Sequence, residues 1–231
     1  MSERPLAERG AFVTGVSRRA GIGYAIARRL GHAGATLFLQ SWTAHDGAQT
    51  WGADPGGIEA VLNGIRESGE VKGHLEADFA DPAAPARVVE AARSALGHVD
   101  ILVVNHARSG RGRLGELTAE ALDAFLHENV RASLLLVKEF AARHDGRAGG
   151  RVVLMTSGQH LAPMSREVAY AGSKGALQQA TRTLADDLAD RGITVNAVNP
   201  GPTDTGWGLA DVDPRPAMPF GRWGDPTMPR V

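Results

Sequence analysis

Along the chain, short runs of aliphatic and β-branched residues alternate with longer segments in which apolar positions recur every three to four residues. The runs fall at 11–14, 36–40, 71–77, 99–105, 151–155 and 193–198 and predict six strands. The segments between them predict helices over 23–34, 58–67, 82–96, 119–143 and 167–190. Ile26 and Leu30 share a face of the first helix, and Asp81 and Pro82 offer an N-cap and a first-position proline for the third. Strands that are apolar almost throughout, each followed by a helix, belong to a parallel sheet covered on both faces. The expected fold is therefore α/β: a doubly wound parallel sheet of about six strands with helices on both sides. From Pro200 the periodicity stops. Residues 200–231, rich in Gly, Pro, Asp and Trp, read as an extended loop or flap with a short helix near 205–210.

Composition narrows the function. A length of 231 residues suits one α/β domain, 1–231, and a 43% hydrophobic, 22% charged chain is an ordinary globule. A formal net charge of −1 gives no electrostatic case for nucleic acid or an anionic membrane. There is no cysteine, which removes disulfides, thiolate metal sites and cysteine nucleophiles together. The N-terminus lacks the apolar core of a secretory signal, and no run approaches the ~20 apolar residues of a membrane span. A cytoplasmic location is the expectation. The eight histidines are scattered without ligand spacing, so no metal is assigned.

Strand one runs into TGVSRRAGIG, residues 14–23, and then a helix. Gly15, Gly21 and Gly23 permit a tight turn and close approach to a pyrophosphate, while Ser17, Ile22 and the helix N-terminus supply N–H groups. An NAD site usually ends strand two with an acid for the ribose 2′-hydroxyl. Here Gln40, Ser41 and Trp42 stand there, while Arg18 and Arg19 in the glycine turn are suited to a 2′-phosphate. NADP(H) is favoured, with NAD(H) as the alternative.

The segment S157-x12-Y170-x3-K174 carries the chemistry. Tyr170 and Lys174, four apart, share a helix face. An ammonium beside a phenol favours the phenolate and lowers its pKa from ~10, which suits Tyr170 to acid/base work. Ser157, just past strand five, sits at a carboxyl edge where it could polarise a carbonyl oxygen.

Taken in order, these pieces resemble the short-chain dehydrogenase/reductase family, a Rossmann-type fold. The resemblance runs from Gly10 to about Thr205 and includes Asp78 after strand three, Asn105-His106-Ala107, Asn129, Ser157, YAGSK at 170–174 and NPGPTDT at 199–205. It implies that Tyr170 exchanges the proton, that Lys174 holds the nicotinamide ribose and tunes Tyr170, and that Ser157 orients the substrate oxygen. It implies that Asn129 helps hold a water linking Lys174 to solvent, that Asp78 and Phe79 flank the adenine, and that Asn105 and Ala107 line the adenosine ribose. Pro200, Gly201, Thr203 and Thr205 would meet the nicotinamide carboxamide.

Three departures from the family pattern matter. Five residues separate Gly15 from Gly21, where the family usually has three. Arg108 replaces a glycine and cannot visit φ > 0 as cheaply. The chain also stops where relatives resembling it usually continue into another helix and a seventh strand. The leading expectation is an NADP(H)-dependent ketone reductase, similar to 3-oxoacyl-carrier-protein reductases, or its reverse, acting on a small carbonyl or acyl thioester as a homodimer or homotetramer. The alternatives are a shortened, non-catalytic nucleotide- or partner-binding relative, and an enoyl thioester reductase. His106 is expected to be a wall residue.

Overall fold

The computed structural model describes residues 4–206 and 221–227. Six strands form one parallel sheet: β1 (Gly10–Val13), β2 (Thr36–Ser41), β3 (Val71–Glu76), β4 (Ile101–Val104), β5 (Gly150–Met155) and β6 (Ile193–Val198), in the order β3-β2-β1-β4-β5-β6. The order reverses between β1 and β4. A crevice opens at that switch point beyond the carboxyl ends of the strands, the usual ligand site of a Rossmann-type sheet.

Side-chain alternation feeds two cores. Phe12 of β1 packs to one side with Phe38, Leu102, Val104, Val152 and Leu154, beneath α4 (Ala84–Leu96), α6 (Ala132–Arg143) and α7 (Val168–Leu188). Ala11 and Val13 pack to the other with Leu37, Leu39, Ile101 and Val103, beneath α1 (Ile22–His32) and α3 (Gly57–Arg66). Thr194, Asn196 and Val198 are exposed on β6, which with β3 is one of the two sheet edges among the described residues. No helix among these residues is long and apolar enough to cross a membrane.

Several element boundaries differ from the sequence reading. The third predicted helix begins at Ala84, with Pro85 and not Pro82 in its first turn. Asp81 forms a separate turn ahead of it: its carboxylate accepts the Ala83 N–H at 2.8 Å and its carbonyl the Ala84 N–H at 3.1 Å. The short helix α2 (Thr43–Gly47) was not expected, because five residues carry no readable period. The single helix expected over 119–143 is α5 (Ala119–Phe125), a π-helical turn (Leu126–Arg131) and then α6. Of the short helix expected near 205–210, residues 207–210 lie outside the described residues.

The amino ends of the strands are tied by Asp100, which is 1% exposed. Its Oδ2 accepts the Gly10 N–H at 2.9 Å, and its Oδ1 pairs with Arg9 at 2.8 Å. Its own N–H and C=O bond Gly10 and Arg151, each at 2.8 Å, so one residue joins β1, β4 and β5. Nearby, the fold gathers His98, His144 and Asp145 within 4.8 Å, a grouping that the linear spacing of the histidines hides. Arg147 takes both carboxylate oxygens of Asp145, and His144 Nδ1 accepts the Gly146 N–H, which leaves the His144 proton on Nε2 instead of a lone pair.

Asp100→Ala removes an acceptor and strands the buried Gly10 N–H. The expected cost is about 1–3 kcal/mol, read as a fall in Tm of roughly 2–4 °C per kcal/mol in a chain of this size.

Candidate active site

The crevice is a cavity of about 620 Å³, within the range of small-molecule and cofactor sites. Its floor is a hydrogen-bond knot between β1 and β4. Thr14 Oγ1 accepts the N–H groups of Asn105 (2.9 Å) and His106 (3.2 Å), while Asn105 Nδ2 donates to the carbonyls of Thr14 and Gly15, each at 3.1 Å. Gly15 has φ +70°, and a Cβ there would lie 2.8 Å from the His106 Cα, so glycine is required twice over. Its N–H donates to Gln40 Oε1 at 2.9 Å, and Gln40 Nε2 donates to the Ala77 carbonyl at 2.8 Å, linking the glycine turn to the ends of β2 and β3.

The N-terminus of α1 has Gly21 as its N-cap, no side-chain capping bond and no acid in its first turn. Its leading N–H groups are thus available to an anion. Gly15, Ser17, Arg18, Gly21 and Ile22 line the cavity. Gly23 does not. A Cβ there would meet the Gly15 carbonyl at 2.5 Å, so Gly23 serves to seat α1 against the turn.

Two other expected cofactor contacts are displaced. Arg19 turns away to Asp54, with Nη2–Oδ1 at 2.8 Å and its backbone N–H on the same carboxylate at 2.9 Å, and it does not line the cavity. The hydrogen bond to Arg19 holds the Asp54 carboxyl down at about 2. Ser41 is fully buried, its hydroxyl engaged by Glu76 (2.9 Å) and His74 (2.7 Å), because the alternation of β2 turns it into the sheet. Trp42, His45, Asp46 and Trp51 line the cavity in their place, and none of these was singled out in the sequence as a cofactor contact. A readable signal was the pair of tryptophans bracketing an acid just after strand two. Asp46 Oδ1 takes both Arg18 Nε (3.0 Å) and Trp51 Nε1 (2.9 Å), and the Arg18 guanidinium lies 5.7 Å from the Trp51 ring centroid. Arg18 Nη1 also reaches the Thr205 carbonyl at 3.0 Å, joining the glycine turn to the segment after β6.

Asp78, Phe79, Asn105 and Ala107 also line the cavity. Phe79 stacks on His106 with centroids 4.2 Å apart. Burial first, and the charge of Lys174 second, push the His106 pKa down to about 3, so the ring is neutral. Its Nε2 lies 3.0 Å from the Glu128 carbonyl and can only donate to it; Nδ1 therefore accepts from the Thr14 hydroxyl at 2.9 Å. With both ring nitrogens committed, His106 is wall and not acid/base. Arg108 does not have a positive φ, so the glycine it replaces is not missed, and its Nε pairs with Glu128 at 2.7 Å.

At the far end Ser157, Tyr170 and Lys174 converge with Met155, Gly158, Met164 and Glu167. Lys174 is 2% exposed, donates from Nζ to the Met155 carbonyl at 2.8 Å and stands 5.9 Å from the centre of the Tyr170 ring. Burial lowers its pKa to about 8. The expected depression of the Tyr170 pKa is not found. Burial of the phenol pushes it up, the Ser157 hydroxyl pulls it down, and the charge of Glu167 adds to the rise. At 5.9 Å from the ring, the ammonium spends its hydrogen bond on Met155 and not on the phenol.

Asn129 is also elsewhere. It is fully buried behind the cavity wall, its Oδ1 accepting the Arg108 N–H (2.7 Å) and its Nδ2 donating to the Arg108 carbonyl and Ser173 Oγ, each at 2.9 Å. The amide braces the Arg108 loop against α7, and both its N–H groups are used. The side chain thus has a bracing role and lies outside the cavity lining. Pro200, Gly201, Thr203 and Thr205 line the cavity, with Trp223 beside them. The segment carrying Trp223 is anchored by the Asp204 N–H on Gly224 (2.7 Å) and the Gly224 N–H on Pro202 (2.9 Å).

The short chain dehydrogenase family model matches residues 9–211. The chain belongs to this family. Among relatives of this short-chain dehydrogenase, an uncharacterized oxidoreductase, YjdA, of Bacillus subtilis is 37% identical over 223 residues, 95% of this chain and 85% of that protein. The versicolorin reductase stcU of Emericella nidulans is 34% identical over 84% of this chain and 69% of its own length. A short-chain dehydrogenase of Burkholderia cenocepacia, solved in complex with NADP, superposes with a TM-score of 0.81 at 34% identity, covering 96% of this chain and 87% of that one.

The buried lysine of this dehydrogenase makes stability depend on pH. The folded chain releases the Lys174 proton near pH 8, whereas an unfolded lysine holds it to about 10.5. Stability therefore rises with pH across that window, and below it the buried charge is a standing penalty. Lys174→Met should melt above wild type at pH 7, with the difference shrinking between pH 8 and 10.5. A variant that melts below wild type throughout that range would refute the assignment.

Proposed function

We propose that this short-chain dehydrogenase is an NADPH-dependent reductase of ketones that also runs the reverse alcohol oxidation. The observation that carries the reading is the convergence of Ser157, Tyr170 and the buried Lys174 on one end of a cavity whose other end is a glycine turn at an uncapped helix N-terminus.

The cavity fits a dinucleotide. The α1 N-terminus receives the pyrophosphate. Phe79 and Asp78 take the adenine side, and the segment from Pro200 to Thr205 the nicotinamide side. When bound, the cofactor supplies the hydride that goes to the carbonyl carbon. Tyr170, held protonated by its burial, gives its hydroxyl proton to the carbonyl oxygen, and Ser157 orients that oxygen by a hydrogen bond. Lys174, still cationic at neutral pH, stabilises the phenolate left behind.

The preference for NADPH rests on Arg18. Its Nε and Nη1 are engaged, it lines the cavity beside Trp42, and the Asp46 carboxylate that would otherwise suit a 2′-hydroxyl is committed to Arg18 and Trp51. The relative solved with NADP has this overall fold and supports the same choice. A 3-oxoacyl thioester is one member of the ketone class that the site would accept.

NADPH fluorescence titration followed by NADPH consumption on a ketone panel tests the reading. Tyr170→Phe should lower kcat by roughly 10²–10⁴-fold, the usual share of a general acid, while NADPH still binds. Arg18→Ala should raise KM for NADPH by about tenfold or more, a loss in keeping with one charge-assisted contact, and leave KM for NADH far less affected. Wild-type protein that binds NADPH and reduces no ketone would point instead to a nucleotide-binding role without turnover.

A further inference from the structure

Four carboxylates line the cavity: Asp46, Asp78, Glu128 and Glu167. Three are engaged. Asp46 holds Arg18 and Trp51, Asp78 accepts the Ala80 N–H at 2.8 Å, and Glu128 pairs with Arg108 at 2.7 Å. The carboxylate of Glu167 has no hydrogen bond and no ion pair among the described residues. It occupies the N-cap position of α7 yet makes no capping bond. Its backbone, by contrast, is fixed. The N–H donates to the Met164 carbonyl (2.9 Å), the carbonyl accepts the Ala171 N–H (2.8 Å), and the residue forms a bridge with Gly112.

A half-buried carboxylate without a donor loses hydration and gains nothing in return. Burial accordingly raises its pKa, and Arg111, the one charge acting against that rise, forms no ion pair with it. Glu167 lies three residues before Tyr170, at the N-cap of the same helix, lines the same cavity, and its charge acts on the Tyr170 phenol. Gly158, Ala162, Met164 and Trp223, which also line the cavity, carry no charge.

We propose that Glu167 determines substrate specificity by accepting a hydrogen bond from a hydroxyl or ammonium group that the carbonyl substrate carries near its reacting carbon. The inference rests on the ketone-reductase reading above and names the class of ketone. A donor-bearing substrate satisfies the orphan carboxylate. An anionic group at the same place meets like charge in a poorly hydrated setting and is rejected.

The test is a matched series of acetophenones bearing methyl, hydroxyl, aminomethyl or carboxylate at the meta position, assayed with NADPH on the full chain. In wild type, kcat/KM should rank aminomethyl above hydroxyl, hydroxyl above methyl, and methyl above carboxylate. The aminomethyl-to-methyl ratio should be at least about tenfold, the order of a hydrogen bond to a charged group. Glu167→Gln and Glu167→Leu should collapse that ratio towards one, chiefly through KM; Gln should keep part of the hydroxyl preference, because its amide oxygen still accepts. A wild-type enzyme indifferent to the donor, or a ratio unaltered in both variants, overturns the proposal. If no ketone in the series is reduced, the reaction assigned above fails. The same ratio is then read as Kd by calorimetry on the protein–NADPH complex: donor preference lost on substitution supports Glu167, and preference retained or never present sinks it.

Discussion

The crevice depends on a knot of hydrogen bonds where β1 and β4 part. Beyond the Val13–Val103 pair the two strands part, and parallel backbones that separate leave N–H and C=O groups in need of partners. Thr14 Oγ1 and the Asn105 amide answer four of them within one small volume. Because those polar groups are satisfied by the protein itself, the floor of the cavity is closed and rigid. Gly15 and His106 can then approach so closely that a side chain on the glycine has no room. The glycine turn, the neutral imidazole and the Arg108 loop all take their positions from this knot.

Electrostatics at the two ends of the cavity differ in kind. At the glycine-turn end, opposite charges are matched: Arg18 with Asp46, Arg19 with Asp54, Arg108 with Glu128. At the tyrosine end, Lys174 is buried against a carbonyl, and among the described residues neither it nor Glu167 forms an ion pair. The first arrangement stabilises a shape. The second keeps charge in a poorly hydrated place, where its effect on a reacting carbonyl is large because little water screens it.

Much of this was legible in the chain. The strands announced themselves because both faces of a parallel sheet are buried, and Ser157, Tyr170 and Lys174 could be placed together because strand five and the helix after it were unmistakable. What was not legible turned on direction and distance. Arg18 and Arg19 are adjacent and chemically identical, and only the position of Asp54, far along the chain, separates the cavity residue from the one that turns away. Ser41 and Trp42 differ by one step of strand parity at the end of β2. Tyr170 and Lys174 do share a helix face, but the lysine has a closer acceptor in Met155 than the phenol, which no spacing rule reveals. His98, His144 and Asp145 meet because the two loops that lead into the amino ends of the neighbouring strands β4 and β5 lie side by side, a fact of topology and not of periodicity.

The π-helical turn between α5 and α6 has a consequence for how this chain tolerates change. A turn closed over five residues instead of four holds one residue more than a regular helix of equal rise, and it swings the side chains on either side out of helical step. Within this segment Asn129 faces inward to the Arg108 loop, and further on Leu136 and Phe140 face the core. The segment therefore absorbs one residue: losing a single residue within it would restore an ordinary helix of equal rise with α6 still in place, and the side chains inside the turn, Asn129 among them, would be re-aimed.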